Sequence, residues 1–298
     1  MRAHLTALAL ILFSFGLHSQ NTRPKDVREI AKDGPAAIPK LQALLSNPDK
    51  EVRREAVRQM VQIGTQRSLD PLIQATRDND PETQILAAGG LVNFYYPGYV
   101  QSGVGGSLKR AGASIKGVFT DTDDQVVDFY VTARPDVVNA LGRLISSGGS
   151  LEARAGAARA VGVLRGAAAV PDLVEGAHSK DSDVIYEALI ALQKIRDESA
   201  GPRVEFRLHD LDPRVQIAAI ETVGLLRDRG ALPELADALK RAHDVKVKRA
   251  ALTSIAMLPD PASRPLYAQY LRDQDDKLRG AAAEGFARLR DSNDLGML

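Results

Sequence analysis

The chain contains no cysteine and no tryptophan. The first absence excludes disulfides, thiolate metal sites, a cysteine nucleophile and a lipidated N-terminal cysteine. Aromatic residues make up only 5% of the 298 residues, so the core has to be built from Ala, Leu, Val and Ile. Neither charge sign dominates: 39 Lys and Arg face 38 Asp and Glu, a formal net charge of +1. Near-neutrality argues against bulk electrostatic binding to nucleic acid or to an anionic membrane surface. The sequence holds no P-loop, dinucleotide-type glycine motif or nucleophile elbow, and Gly103-Val-Gly-Gly106 follows no predicted strand. The remainder, 44% hydrophobic and 26% charged, is an ordinary globular composition. No catalytic residue, metal or cofactor is expected.

Residues 1–19 carry one formal charge, Arg2, followed by an apolar run from Leu5 to Leu17 and a polar stretch from Gln20. That order is the order of a secretory signal peptide. The run is shorter than the roughly 20 residues a spanning helix needs. The expectation is export to a bacterial periplasm after removal of residues 1–19. The alternative is that the segment stays as an N-terminal membrane anchor.

The rest of the chain repeats itself. Val52 is a convenient landmark, with equivalents at Thr83, Ala153, Val184, Val215, Val247 and Leu278. The spacing is 31 or 32 residues, interrupted once by an interval of 70. Four residues after each landmark stands an alanine: Ala56, Ala87, Ala157, Ala188, Ala219, Ala251 and Ala282. Offsets of eight and eleven are apolar, as in Met60 and Ile63 or Leu192 and Ile195. Offsets of 0, 4, 8 and 11 share one face of an α-helix. Three residues before the landmark lies Asp49, Asp80, Asp181, Asp212, Asp244 or Asp275, or Ser150 in the third unit. Each is a helix N-cap, accepting a bond from a free first-turn N–H. Further upstream a proline (Pro39, Pro71, Pro135, Pro171, Pro202, Pro233 or Pro265) opens a shorter apolar segment. Each unit therefore reads as a proline-initiated helix, a turn and an Asp-capped second helix. One such hairpin cannot bury its apolar face alone, whereas stacked hairpins share a core.

These Pro, Asp, Val-Arg and Ala landmarks resemble the HEAT-repeat family, in its short bacterial PBS-lyase-like variant. The resemblance covers about residues 38–291 apart from the long interval. It implies an all-α fold, an α-solenoid of about seven helical hairpins with one insertion between repeats 2 and 3. The corresponding organisation is a signal peptide over 1–19 and an N-terminal capping helix over 24–37. Repeats 1–2 follow over 38–94, the insert over 95–134, repeats 3–7 over 135–291 and a tail over 292–298. Two enzyme types in that superfamily can be tested residue by residue. HEAT-like deoxyhypusine hydroxylases hold two irons with His-Glu pairs. Here the five histidines are His4, His18, His178, His209 and His243, and none is followed by Glu. Bilin lyases share the repeat, but no residue here implies a tetrapyrrole. The expected function is a non-catalytic scaffold that binds another protein, without nucleic-acid or membrane partners. The alternative is an enzyme-associated repeat protein of the bilin-lyase-like or hydroxylase-like kind.

Two residue sets are candidates for partner binding. The insert contains Tyr95, Tyr96, Tyr99, Phe119, Phe129 and Tyr130, next to Phe94, in a chain otherwise poor in aromatics. They form either a private mini-core that pins the insert or a partner-binding platform, since aromatics dominate interface hot spots. Leu108, Ala111, Ile115 and Val118 predict one helix in the insert, and Thr122 with Gln125 opens a second one, around which lies the acidic run Asp121, Asp123, Asp124 and Asp128. The acidic run lacks the glycine and terminal glutamate of a calcium loop. The second set directly follows the landmarks: Arg53, Arg154, Lys248 and Arg279, interrupted by Gln84, Ile185 and Gln216. It forms either a basic stripe for an acidic ligand or, as the resemblance implies, a ladder to the capping Asp of a neighbouring repeat.

Overall fold

The chain divides into two compact units, Met1–Ala160 and Val161–Leu298. A computed structural model describes residues 22–100 and 125–291, and shows helices and turns with no strand among them. The signal segment, Phe119, the first predicted insert helix and the tail after Asp291 lie outside the described residues.

In the first unit α1 (Pro24–Ala31), α2 (Ile38–Ala43), α3 (Lys50–Ile63), α4 (Leu69–Ala75), α5 (Pro81–Tyr95) and α6 (Pro135–Ser147) precede α7 (Leu151–Val163), whose last turn enters the second unit. The helix expected over 24–37 stops at Ala31. Gly34 then takes a left-handed φ of 59° and opens a 3-10 turn, Gly34–Ala37. Only α1 remains as the N-terminal cap, and it packs against α3 with Val27 fully buried. Next, α3 packs against α5, second helix on second helix.

The second unit holds α8 (Val170–Ala177), α9 (Ser182–Ile195), α10 (Pro213–Leu225), α11 (Leu232–Arg241), α12 (Val245–Met257), α13 (Arg264–Tyr270) and α14 (Asp276–Leu289). Its second helices α9, α10, α12 and α14 lie side by side in chain order. The expected first helix of the fifth repeat is absent. Pro202 sits instead inside a 3-10 segment, Glu198–Arg203, followed by another at Glu205–Arg207. Gly201, β-branched Val204 and Phe206 are weak helix formers, and i→i+3 bonds replace the α ladder there.

Elsewhere the repeat rule holds in detail. The carboxylates of Asp49, Asp80, Asp181, Asp212, Asp244 and Asp275 each accept from a first-turn N–H. Ser150 caps α7 the same way, its Oγ accepting from the Ala153 N–H at 3.1 Å. Landmark and offset-four residues are buried throughout.

Three close approaches between second helices follow a second rule, linking offset nine of one second helix to offset seven of the next. A Cβ on Gly90 would lie 2.3 Å from Val61 Cγ2. On Gly162 it would meet Ala191 Cα at 2.8 Å, and on Gly224 the Ser254 Cβ at 2.7 Å. Where both positions carry larger polar groups they bond, Gln193 Nε2 donating to Thr222 Oγ1 at 3.1 Å. A third regularity sits at offset twelve. Gly64, Arg165, Arg196, Arg227 and Arg290 all adopt left-handed φ values, between 51° and 65°. This ends each helix by releasing its last carbonyls from the α pattern.

Candidate interaction surfaces

The described aromatics of the insert divide into two groups with different tasks. Phe94 and Tyr95 meet edge to face at 5.0 Å in the last turn of α5. The Tyr95 hydroxyl accepts the Arg134 backbone N–H at 3.1 Å, which joins the start of the insert to its end. Arg134 in turn bridges Asp70 and Asp136, and these carboxylates hold its guanidinium pKa far above the ordinary value. On the outgoing side, Asn93 Oδ1 accepts from the N–H groups of Gly98 and Val100, both at 3.1 Å. Val100 then fills the space beside Gly89. Tyr96 ends α5, and the Tyr99 N–H donates to its carbonyl.

Phe129 and Tyr130 behave differently. They are 88% and 71% exposed, with ring centroids 5.5 Å apart at 83°. Residues 125–134 contain a turn rather than the helix expected after Thr122, because Val126, Val127 and Val131 favour extended backbone. The Val131 N–H closes this turn onto the Asp128 carbonyl at 2.9 Å. Asp128 Oδ2 accepts the Tyr130 hydroxyl at 2.8 Å, which raises the phenol pKa. Buried Val127 and Ala133 anchor the turn on either side. The aromatic set thus contains a clasp and a displayed pair.

The residues directly after the landmarks do not form a basic stripe. Arg53 is buried and donates to the carbonyls of Asn47 and Pro48, with a bidentate bridge to Asp78. Arg154 donates to the Gly148 carbonyl, Arg279 to those of Asp273 and Gln274. Gln84 and Gln216 do the same with Asp78 and Leu208. In five of the seven repeats this row fastens the second helix to the turn preceding it, and a glutamine serves as well as an arginine. Lys248 does not take part and pairs with no acid among the described residues. Nor is the implied ladder to the next capping Asp built by this row. It comes one residue later, at Arg54 and Arg249. Arg54 donates to Asp80 at 2.7 and 2.6 Å, and Arg249 donates to Asp275 at 3.1 Å. Accordingly the Asp80 pKa lies well below the ordinary carboxylate range, and Asp275 is lowered to about 2, in both cases first through the arginine hydrogen bond. The arginine after an arginine was visible in the sequence at 53–54, but its register was not.

Two further clusters escaped sequence reading. His209 Nε2 lies 2.9 Å from Glu234 Oε2 and 3.8 Å from Asp237 Oδ2, at the surface, with Asp237 also engaged by Arg241. One imidazole and two carboxylates could hold a divalent ion, but they do not reproduce paired His-Glu ligands. The second is an open groove of about 490 Å³ in the second unit. Ile217 and Leu225 of α10 line it with Ala250, Thr253, Ser254 and Met257 of α12. Lys246, Arg249 and Lys277 stand at one end of it, and Glu221 also lines it. Its lining is mostly side chains at offsets −1, +2, +6 and +10, positions that the periodic reading left to solvent.

Comparison with known proteins bears on the fold. A family model described as HEAT repeats matches residues 19–102 and 202–287. No curated protein matches the sequence. An engineered protein of known structure is similar at 20% identity over 90% of this chain and 71% of its own, with a TM-score of 0.53. The complex of CpcE and CpcF of phycocyanin lyase from Nostoc sp. PCC7120 is similar at 18% identity over 77% and 79%, with a TM-score of 0.47. Human deoxyhypusine hydroxylase gives 16% identity over 89% and 88%, with a TM-score of 0.35. At 20% identity the likeness to the engineered protein is one of fold and not of chemistry.

Proposed function

The chain belongs to the HEAT-repeat family, and on that premise we propose that it is an exported scaffold that binds another protein and performs no catalysis of its own. One observation carries this reading: the Phe129–Tyr130 pair, 88% and 71% exposed, on a turn anchored at both ends. Large exposed aromatics lose hydration favourably on contact and lead the residue types found at interface hot spots. The clasp of Tyr95 and Arg134 lies next to this turn, so little ordering remains to be done on binding. Export rests on the charge, apolar run and polar stretch of residues 1–24.

The test is a Phe129→Ala/Tyr130→Ala variant alongside Tyr95→Phe, with crosslinked capture from the native envelope. The first variant should melt like the wild type and lose capture. The second should melt earlier and retain it, because it removes an acceptor from the clasp. Unchanged capture by the double variant would refute the platform. Mass spectrometry of the native protein should find a chain that starts near Gln20. Purified protein should show no visible absorbance, and a bound chromophore or iron would favour the enzyme-associated alternative.

A further inference from the structure

We infer that the groove between α10 and α12 is a second docking site, built for an acidic amphipathic helix of a partner protein. The groove shares no residue with the Phe129–Tyr130 turn, so either site can fail without the other.

The floor is aliphatic and small. Ile217, Leu225 and Met257 are half-buried and leave apolar surface open, while Ala250 and Ser254 keep the centre low. Gly224 against Ser254 draws the two helices together beneath it. The 13-residue α12 spans about 20 Å, the length of three to four helical turns. No strand edge exists among the described residues, so an extended peptide would find no ladder to join. A helix laid along the groove needs none, since its backbone bonds are internal and it presents anchors at i, i+3 or i+4, and i+7.

The charge of the lining selects the sign of the partner. α12 contains Lys246, Lys248 and Arg249 and no acidic residue. Arg249 is engaged by Asp275, but Lys246 and Lys277 are exposed and form no ion pair among the described residues. Both lysines stand in the first turns of α12 and α14, where Asp244, Asp275 and Asp276 accept backbone N–H groups while the ammonium groups remain exposed. Against the cations Lys246, Arg249 and Lys277 the lining holds one acid, Glu221, so it is net positive with the lysines at one end, and Ile217, Leu225, Ala250 and Met257 supply apolar surface along it. A helix with Leu or Met at successive turns and Glu or Asp at one end matches both properties. A basic helix would meet like charge on the lysines, and a wholly polar one would leave the floor wet.

The probe is a pair of fluorescein-labelled 16-residue helical peptides of Leu, Ala and Glu, or of Leu, Ala and Lys, titrated against the full-length chain. The acidic peptide should bind and the basic one should not. Lys246→Glu/Lys277→Glu should weaken binding at least about tenfold and reduce its salt dependence, since both charges sit near the surface. Met257→Asp should weaken it comparably at any salt concentration, and circular dichroism verifies that both variants remain helical. The Phe129→Ala/Tyr130→Ala variant should bind the acidic peptide as the wild type does, which separates this inference from the proposed platform. Equal affinity for the two peptides, or none for either, would overturn it. So would an unaffected lysine variant. Sedimentation showing a dimer that the acidic peptide cannot dissociate would assign the groove to a second copy. Binding that emerges only after deletion of residues 292–298 would assign it to the chain's own tail.

Discussion

The two units stack their second helices by one rule, yet they use the same helix positions for different ends. In the first unit, offsets +2, +3, +6 and +7 after Val52 are Arg54, Glu55, Arg58 and Gln59. These side chains consume one another. Arg54 is shared among Asp80, Glu51 and Glu82, and Glu55 collects Arg28, Arg58 and Gln59. In the second unit, offsets +2, +3, +6 and +7 are Ile217, Ala218, Glu221 and Thr222 on α10 and Arg249, Ala250, Thr253 and Ser254 on α12, so only one charged residue per helix remains. Leu225 and Met257 at offset +10 add apolar surface, beside Lys246 and Lys277, which form no ion pair among the described residues. A self-satisfied polar face offers a partner little beyond exchange of existing bonds. An apolar face beside unpaired cations gains from being covered. The difference is between a surface spent on stability and one left available.

The sharpest way to test that contrast is to break the lock of the first unit. Asp80 is buried, caps α5 and receives Arg54, so Asp80→Ala removes a cap together with the bidentate partner of Arg54, leaving its guanidinium only Glu51 and Glu82. A loss of about 3 kcal/mol in urea unfolding is expected. The same residue sets a pH dependence. Its folded pKa is depressed below the unfolded value of 3.8. Its contribution is fully present above that value and lost as the pH falls toward the folded one. Asp80→Asn should therefore flatten the stability curve below pH 3.8.

Next in size is the helix joint. Gly90→Ala drives a methyl into Val61 and should cost about 1–3 kcal/mol, and Val61→Ala in the same chain should recover most of it. That double change converts the joint of the first unit to the small-against-small kind found at Gly162 and Ala191. Failure of the second change to rescue would mean that the backbones, not the side chains, set the spacing. Arg249→Ala tests the matching ladder of the second unit. Half-exposed and joined to one carboxylate, it should lower the melting point far less than Asp80→Ala. An equal drop would erase the distinction between the units. The smallest effect expected is a gain. Arg196→Gly relieves a left-handed arginine at φ 65° and should stabilise by about 0.5 kcal/mol, the relief being partly offset by a freer unfolded chain.

How much of this the sequence revealed depends on whether a feature is periodic. The alanines at offset four, the Asp caps and the buried landmarks could be placed because helical geometry repeats them at fixed spacing. The first helix of repeat 5 could not, since Pro202 has the usual signature while Gly201 and Val204 undo it. The basic row misled for another reason. Composition marks Arg53 as a cation, whereas its neighbours, two carbonyls and Asp78, make it a turn fastener, and Gln216 performs the same task uncharged. The groove was invisible because Ile217, Leu225 and Met257 read as ordinary apolar residues until the packing leaves them uncovered. Among the aromatics, nothing in the sequence separates Tyr95 from Tyr130. Their difference arises from a single backbone N–H thirty-nine residues away in the chain.

That bond between Tyr95 and Arg134 makes the insert a cassette. Its two ends are fixed to each other and, through Arg134, to Asp70, while Val100 beside Gly89 and buried Val127 attach the outgoing and returning chain further along. Closure entropy grows with the logarithm of length, and doubling the enclosed chain adds only about 0.6 kcal/mol. A recognition sequence could be exchanged between Val100 and Val127, lengthened or shortened, at small thermodynamic expense, because the attachments on either side would be kept. The same solenoid would then serve as a carrier for whatever is grafted into it.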